Sequence, residues 1–509
     1  MRAPLRRAQH RTPQPDSSGT TTPAVIPPGA RTMTDPSPPP ARPVVAVAGA
    51  SGFIGQALGP SLAQHFTPIA LSRSVREPGG GYTTCRQADL FSLSGATRAL
   101  EGAEYAVYLV HSMMPAARLV QGHFEDLDVL CADNFARAAA AAGVRHIVYV
   151  GGLLPTTDAL SEHLRSRQEM ERALGATGIP VTTLRCGMVV GAQGSSYQLL
   201  ARLVRRLPVM VCPSWTKTRM QPVALSDVVG AITQVLATPA TDSQVFDLGS
   251  PEALSYQELM GATAASFGLT RRFLSVPFLS PKLSRLWVTL TTGAPKALVA
   301  PLIQSLHHEM LARPDARLPG EAPATNITEM LALAAHEQGT QAIVPHAFRA
   351  ARRSKGPSTV CSVQRMVTPE GMDTRWVATE YFRWLAHRIR ALVRITTSDD
   401  GADVQFTLRL TGHQLLGLRR LPDRSAADRE VLLVTEGLLA RESERGRLEF
   451  RYVLGDRTLI AALHDFVPRL PWWVYRLTQG TLHRWVMKSF ARHLARLSAQ
   501  TSTQTREAS

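Results

Sequence analysis

The residues best suited to chemistry form a glycine-rich turn after a short apolar run, in the segment VVAVAGASGFIG at positions 44–55. In a strand–turn–helix unit, the first glycine permits a tight turn and the second lets backbone amides approach a pyrophosphate. The third lets the helix pack on the strand, and the free N–H groups at the helix start attract phosphate. A purely structural turn is the alternative. The pattern predicts that a dinucleotide binds at Gly49, Ser51, Gly52, Phe53, Ile54 and Gly55.

The end of the next predicted strand indicates which dinucleotide is preferred. An acidic residue about 20 positions after the glycines binds the ribose of NAD, but here the strand ends in Arg73, with Arg76 close behind. Arg73 can pair with a 2′-phosphate, so NADPH is favoured over NADH; a solvated surface arginine is the alternative. Asp89 and Leu90, after a further strand, are predicted to contact the adenine, although Asp89 is equally suited to capping a helix.

Short apolar segments alternate with helical stretches through the first part of the chain. The predicted strands are 44–48, 69–71, 105–110, 147–150 and 181–184, and a long helix is predicted at 124–142. Strands of this kind pair in parallel and are covered by helices on both faces. The predicted fold class is therefore α/β, with a doubly wound parallel sheet.

Several motifs in this part of the chain carry a family resemblance. They are GASGFIG, LVHSM at 109–113, VGGL at 150–153, SEHLRSR at 161–167, LRCGMVVG at 184–191 and LPVMVCPSW at 207–215. Residues 43–345 resemble the atypical branch of the extended short-chain dehydrogenase/reductase superfamily, near the nucleotide-binding accessory subunit of respiratory complex I. The resemblance implies an NAD(P)-binding Rossmann domain, with Val110, His111 and Gly151 also at the cofactor. A hydrogen-bonded structural role for His111 is the alternative.

The catalytic residues of that superfamily are replaced in this sequence. Active members use a Tyr-x-x-x-Lys pair and a nearby serine, but His163 and Arg167 occupy the pair's positions and residues 150–152 contain no hydroxyl. In one interpretation, His163 is a proton donor with a pKa near neutrality, and Arg167 is a fixed positive charge near the ribose. In the other, both residues make only cofactor or packing contacts, and whether the protein is an enzyme stays open.

The element order changes beyond a basic stretch at 349–359. A strand at 360–366 and a helix at 375–392 precede strands at 404–410, 431–439, 448–454 and 458–464, with predicted hairpin turns at 399–401 and 455–456 and a final helix at 471–497. This α+β order resembles the helix-grip fold of the START and polyketide-cyclase superfamily. The resemblance implies an apolar cavity for a lipid, quinone or polyketide. Eight aromatic residues are predicted to line that cavity or to fill the core: Trp376, Tyr381, Phe382, Trp384, Trp472, Trp473, Tyr475 and Trp485.

These patterns divide the chain into five predicted segments. A disordered tail at 1–42, with ten prolines, precedes the Rossmann domain at 43–345. A linker at 346–357, the helix-grip domain at 358–500 and a short disordered tail at 501–509 follow.

Composition narrows the classes of protein that fit this chain of 509 residues. The net charge of +16 divides into +4 for residues 1–42, +1 for 43–345 and +11 for 346–509, and no nucleic-acid-binding motif is present. The five cysteines are scattered, which predicts a reducing compartment and no metal site. We expect a cytoplasmic protein without a transmembrane helix. The basic final helix is expected either to contact an anionic membrane or to form an ordinary solvated face.

The predicted function combines these features. The chain is expected to be an NAD(P)H-binding, oxidoreductase-like protein that acts on an apolar carbonyl or quinone-like ligand. The alternative is a non-catalytic, nucleotide-binding redox sensor or assembly module with a lipid-binding C-terminal domain.

Overall fold

The computed structural model describes most of the chain between residues 42 and 507. The described ranges are 42–73, 77–111, 119–155, 160–276, 288–289, 291–293, 299, 303, 306–320, 322, 324–340, 359–435, 437–441, 443, 445–454 and 458–507. The predicted N-terminal tail, the linker, Arg76 and the turn at 455–456 therefore lie outside the described residues, apart from Arg42. The domain boundaries stay a prediction.

A seven-stranded parallel sheet forms the first part of the structure. Its strands stand in the order β3-β2-β1-β4-β6-β7-β12, and they are β1 (Val44–Ala48), β2 (Thr67–Ser72), β3 (Thr84–Gln87), β4 (Tyr105–Tyr108), β6 (His146–Gly152), β7 (Val181–Cys186) and β12 (Gln244–Leu248). The central strands are almost entirely buried, because helices cover both faces of a parallel sheet. The predicted doubly wound α/β fold is confirmed.

Helices accompany this sheet in the described residues before position 341. They are α1 (Phe53–Leu62), α2 (Leu93–Leu100), α3 (Phe124–Ala141), α4 (Glu162–Gly175), α5 (Ser195–Arg206), α6 (Leu225–Ala237), α7 (Tyr256–Ser266) and α8 (Ile327–Thr340). Three two-stranded sheets lie between them: β8 (Val189–Val190) with β11 (Val223–Ala224), β9 (Val209–Pro213) with β14 (Arg272–Val276), and β10 (Arg219–Met220) with β13 (Leu254–Ser255). Helices α5 and α7, with the described residues from 288 to 310, form a layer beside the carboxyl ends of β4, β6 and β7, where they share a cavity with Leu109, Gly152 and Gly187.

A second, largely antiparallel sheet forms the C-terminal part. Its order is β16-β17-β18-β19-β20-β21-β15-β5, with β15 (Val360–Val367), β16 (Val393–Thr397), β17 (Asp403–Leu408), β18 (Gln414–Arg420), β19 (Arg429–Val434), β20 (Arg447–Tyr452) and β21 (Thr458–Phe466). Three helices accompany it: α9 (Thr374–Ile389), α10 (Trp472–Leu477) and α11 (Gln479–Glu507). Strands β16 and β18 were not predicted, and the single predicted final helix is two helices.

The aromatic side chains of this part pack on one another. The ring of Tyr381 lies 5.0 Å from that of Phe490 and 5.6 Å from that of Phe450, while Tyr475 is buried in the same core. Of the predicted lining residues whose side chains are described, Trp485 differs in being 43% exposed. These contacts favour the core-filling interpretation, and the resemblance to the helix-grip superfamily stays a prediction.

One strand from the first part of the chain joins the second sheet, and the two sheets share a hydrophobic core. Strand β5 (Leu119–Gln121) follows the end of β4 in sequence, yet it pairs in parallel with β15. Buried side chains of β15 and β21, among them Val363 and Ile460, belong to the same core as Leu127 of α3. The C-terminal sheet is therefore packed on the first part of the structure rather than attached only by a linker.

Ion pairs reinforce this packing. The Arg365 guanidinium of β15 donates to Asp126 of α3 at 2.8 Å and to both carboxylate oxygens of Glu169 of α4 at 2.8 Å. Arg451 of β20, only 1% exposed, pairs with Asp133 of α3. Paired charges at a buried interface hold their elements in one orientation, since separating them would leave unpaired charges away from water.

We expect Arg365→Met to destabilise the whole molecule. The substitution would leave the Asp126 and Glu169 carboxylates largely buried without their partner, and breaking such a pair costs roughly 3 kcal/mol of unfolding free energy. The measurement is urea unfolding followed by circular dichroism. Arg145→Met is the matched control, because Arg145 and its partner Glu104 are 60% and 43% exposed and such pairs contribute about 0–1 kcal/mol. Equal losses in the two variants would contradict the prediction.

Candidate functional site

The glycine turn between β1 and α1 lies against the end of β4. Gly49 has a φ of +91°, and a side chain there would come within 3.1 Å of the Leu109 backbone. A Cβ at Gly55 would lie 2.4 Å from the Gly49 carbonyl oxygen, so the third glycine is required for α1 to pack on β1. The tight turn and close packing predicted for these glycines are therefore present.

The start of α1 has the features of a phosphate site. Its N-cap residue, Gly52, is exposed and provides no side-chain cap, and the first turn contains no acidic residue. The first amides of a helix have no intrahelical acceptor and carry partial positive charge. An anion can therefore approach these amides, and the residues present fit the pyrophosphate of a dinucleotide.

The predicted adenosine contacts lie at the ends of β2 and β3. Arg73 follows β2 directly and is exposed. Asp89 follows β3, and its side chain accepts a hydrogen bond from the Phe91 amide at 3.1 Å, whereas the N-cap of α2 is Ser92. The helix-cap alternative for Asp89 is therefore wrong, and the adenine contact stays a prediction.

His111 forms a hydrogen-bonded pair with a buried carboxylate. It lies three residues beyond the end of β4, and its Nδ1 is 2.8 Å from Oδ2 of Asp128 in α3. The same carboxylate oxygen accepts a hydrogen bond from the Ser166 hydroxyl of α4 at 3.5 Å. The other ring nitrogen of His111, Nε2, is buried without a hydrogen-bond partner among the described residues. Asp128 thus fixes the orientation of His111.

His163 lies beside this pair, at the start of α4. Its ring centre is 5.4 Å from that of His111, and Phe124 packs on both rings at 6.3–6.4 Å. Burial, aided by the positive charges of Arg167 and His111, lowers the pKa of His163 to about 2. Burial and Arg167 also lower the pKa of His111, against the opposing effect of Asp128. The expectation that His163 has a pKa near neutrality is therefore wrong: the imidazole is neutral at physiological pH.

These residues line one end of an apolar cavity of about 400 Å³. Phe53 and Ile54 of the glycine turn, His111, Gly151, His163 and Arg167 all contact this cavity. The opposite wall is formed largely by apolar side chains from the layer beside the sheet: Leu199, Leu200, Leu203, Trp215, Leu259, Met260, Val288, Val299, Ile303, Leu306 and Met310. The structure therefore brings the predicted cofactor turn and the predicted catalytic residues to one space.

Sequence reasoning missed part of this site. No function was predicted for Asp128 from the sequence. Its acidic side chain on a mostly apolar helix was nevertheless an indication of a buried, paired carboxylate, because buried carboxylates need partners. The apolar wall was also missed, because its residues are spread over more than 100 positions and acquire a common face only when the chain folds. The predicted residues that do not line the cavity are Gly49, Ser51, Gly52, Gly55, Arg73, Asp89, Leu90 and Val110.

The lowered pKa of His163 has a measurable consequence for stability. The unfolded chain binds a proton at a histidine pKa of about 6.5, while the folded protein excludes that proton until about pH 2. The contribution of neutral His163 to folding is therefore complete above about pH 6.5 and decreases as the pH falls below it.

We expect the thermal unfolding midpoint of the wild type to fall between pH 7 and pH 5, and to fall less in His163→Gln. NMR of histidine-labelled protein provides the direct test, with the His163 signals unchanged over this range. The urea-unfolded protein serves as the control. A His163 signal that titrates near pH 6 would contradict the lowered pKa.

The parallel sheet and the glycine turn are typical of nucleotide-binding domains, and the comparison with protein families agrees with this classification. Residues 49–206 match the family described as NAD(P)H-binding. Together with the parallel sheet and the glycine turn at the start of α1, this match indicates an NAD(P)-binding, Rossmann-like domain in the first part of the chain. The match covers about a third of the chain.

Two curated proteins are similar in sequence. One is the auxiliary protein GraX of Staphylococcus aureus, 28% identical over 144 residues, which are 28% of this chain and 43% of GraX. The other is the ceramide reductase of Caulobacter vibrioides, 27% identical over 243 residues, which are 47% of this chain and 74% of the reductase. The chain thus spans less than half the length of GraX.

Two solved structures are similar to part of this chain. One is the NADPH-dependent quinone oxidoreductase of Escherichia coli complexed with NADPH, at 21% identity, a TM-score of 0.45, and coverage of 56% of this chain and 98% of that one. The other is the triphenylmethane reductase of Citrobacter sp. complexed with NADP(H), at 19% identity, a TM-score of 0.46, and coverage of 57% and 99%. The assignment of an NAD(P)-binding domain therefore depends on the family match and not on the similarity to these two structures.

Proposed function

We propose that the protein is an NADPH-dependent reductase of an apolar carbonyl or quinone-like compound. The observation that carries this proposal is the apolar cavity of about 400 Å³, which contacts both the glycine turn and the group of His111, His163 and Arg167. Enzyme sites are mostly apolar pockets with a few convergent polar groups. The ceramide reductase among the relatives supports a ligand with long aliphatic chains.

The polar residues of the cavity suit the reduction of a carbonyl group. A bound NADPH would supply a hydride to the carbonyl carbon, so the residues of the cavity would have to provide the carbonyl oxygen with a proton. Arg167 keeps its charge at any physiological pH and stabilises the negative charge that develops on the oxygen. The neutral imidazole of His163 donates a hydrogen bond to that oxygen. His111, held by Asp128, transfers the proton from solvent through its unpartnered Nε2.

The test is the oxidation of NADPH, followed at 340 nm, with ketones, quinones and enoyl compounds of increasing chain length. We expect turnover that improves with the apolar length of the substrate. Leu203→Trp, which narrows the cavity, should raise the KM for long substrates with NADPH affinity unchanged. Leu333→Trp is the matched control, since Leu333 is 53% exposed and lies outside the cavity.

A non-catalytic role is the second candidate. The observation in its favour is the replacement of the superfamily's tyrosine and serine by His163 and Gly151-Gly152. A redox sensor would bind NADPH and an apolar ligand without turnover. Saturable ligand binding with no NADPH oxidation across the whole panel of compounds would favour this role over that of a reductase.

We expect the cofactor site to prefer NADPH to NADH. Arg73 lies at the end of β2, and a charge-assisted bond to a 2′-phosphate contributes about 1.5–3 kcal/mol, or roughly ten- to a hundredfold in affinity. Calorimetry with the two cofactors provides the measurement, and Arg73→Ala should remove the difference. Arg172→Ala, at an exposed arginine in the last turn of α4, should retain it. Equal wild-type affinities would contradict the prediction.

A further inference from the structure

Seven large apolar side chains in the described C-terminal part are exposed to solvent, and four of them lie on segments that neighbour one another. Leu392 is 71% exposed, Leu410 96%, Leu482 58% and Trp485 43%. Single exposed leucines are ordinary on protein surfaces, whereas a group of adjacent ones marks a contact surface. We call the surface that carries these four residues the basic apolar face.

Two contacts connect the segments that carry Trp485, Leu392 and Leu410, and Leu482 lies three residues before Trp485 in α11. The guanidinium of Arg388, in the last turn of α9, lies 5.6 Å from the centre of the Trp485 ring of α11. Leu392 follows Arg388 by four residues, and its carbonyl accepts a hydrogen bond from the Arg409 amide at 3.0 Å. Arg409 immediately precedes Leu410 in the turn between β17 and β18. The basic apolar face therefore extends from α11 across the end of α9 to this turn.

The charge of this face has one sign. Segments 381–398, 404–422 and 466–505 contain four, three and six basic residues, and none of the three contains an acid. The nearby Glu380 is paired with Arg383 and His493. Seven basic residues are exposed and, in the described part of the chain, have no carboxylate within 4.0 Å: Arg388, Arg390, Arg394, Arg409, Arg484, Lys488 and Arg492.

This combination fits an anionic lipid surface better than other partners. Basic side chains near anionic headgroups contribute about 1 kcal/mol each, while apolar side chains and tryptophan enter the boundary between headgroups and acyl chains. A nucleic acid would use the charges but would gain little from a leucine that is 96% exposed at a turn. In the described residues, no helix is long and apolar enough to cross a bilayer, so the contact would be peripheral.

We propose that the basic apolar face binds peripherally to membranes rich in anionic phospholipid. The binding does not depend on the proposed reductase activity. Leu410 and Leu392 insert at the turn and at the end of α9, Trp485 lies at the headgroup level, and the surrounding basic residues contact lipid phosphates.

The test is flotation of the full-length protein with vesicles of phosphatidylcholine alone and of phosphatidylcholine with 30% phosphatidylglycerol. We expect binding to the anionic vesicles only, with a decrease as the salt concentration rises from about 0.1 M to 0.5 M, where the Debye length is much shorter. The double variant Lys488→Gln/Arg492→Gln should bind about thirtyfold more weakly, since each charge contributes about 1 kcal/mol.

Variants of the apolar residues separate lipid insertion from simple charge attraction. Leu410→Ser should weaken vesicle binding at least fivefold without changing thermal unfolding, because Leu410 contributes almost nothing to the core. Leu333→Ser, at an exposed leucine of α8, should leave binding unchanged. Three results would overturn the proposal: equal binding to neutral vesicles, unchanged binding by Leu410→Ser, and binding to double-stranded DNA but not to vesicles.

Discussion

Replacing Gly52 by valine should reduce NADPH affinity by about a hundredfold or more while the protein stays folded. Gly52 is the exposed N-cap of α1, and valine adopts its φ of −81°; the new Cβ would lie 3.0 Å from the Gly49 carbonyl oxygen, which must shift by a few tenths of an ångström. The new side chain would occupy the space in front of the helix amides. Losing at least two charge-assisted hydrogen bonds to phosphate, at about 1.5–3 kcal/mol each, predicts the size of the effect. Calorimetry measures the affinity.

Two other glycines provide the controls. Gly175→Val should bind NADPH normally, because a side chain there would meet no atom within 4 Å. Gly55→Ala should instead destabilise the fold, since its Cβ would lie 2.4 Å from the Gly49 oxygen and 2.6 Å from the Ala50 Cα. Normal NADPH binding by Gly52→Val would show that the turn is only structural, and the assignment of the phosphate site would fail.

Replacing Asp128 by asparagine should lower turnover by about a hundredfold or more and change NADPH affinity only a few-fold. The neutral amide no longer stabilises a proton on His111 and no longer selects the tautomer whose Nε2 accepts one. Assistance of this kind is typically worth 10²–10⁴-fold. The effect should appear in kcat with little change in KM, because the Asp128 side chain is 1% exposed and does not line the cavity.

Ser166→Ala is the matched control for this substitution. It removes only the 3.5 Å hydrogen bond to Asp128 and leaves the carboxylate and His111 in place, so turnover should change only a few-fold. Nitrogen NMR of His111 should report the altered tautomer in Asp128→Asn but not in Ser166→Ala. If Asp128→Asn keeps its turnover, His111 has no part in proton transfer.

The local patterns of the sequence were sufficient to predict the main strands and helices of the Rossmann part. Strand β1 and helix α3 were predicted within one residue of their observed bounds, because apolar strands and long helical periods are signals contained in neighbouring residues. The phosphate site was predictable for the same reason, since the glycines and the helix start are contiguous. Strands β16 and β18 were missed because their residues are mostly exposed or only partly buried and show little apolar alternation.

The sequence alone determined the α/β class, the glycine turn, the position of Arg73 and the exchange of the superfamily's tyrosine and lysine for His163 and Arg167. Each of these depends on residues that are close together in the chain. Only the tertiary structure decided that His163 is neutral, because its pKa depends on burial and on charges from other segments. The folded chain alone also pairs His111 with Asp128, assembles the apolar cavity and inserts β5 beside β15. Such contacts join residues far apart in sequence, and only the packing of complete elements brings them together.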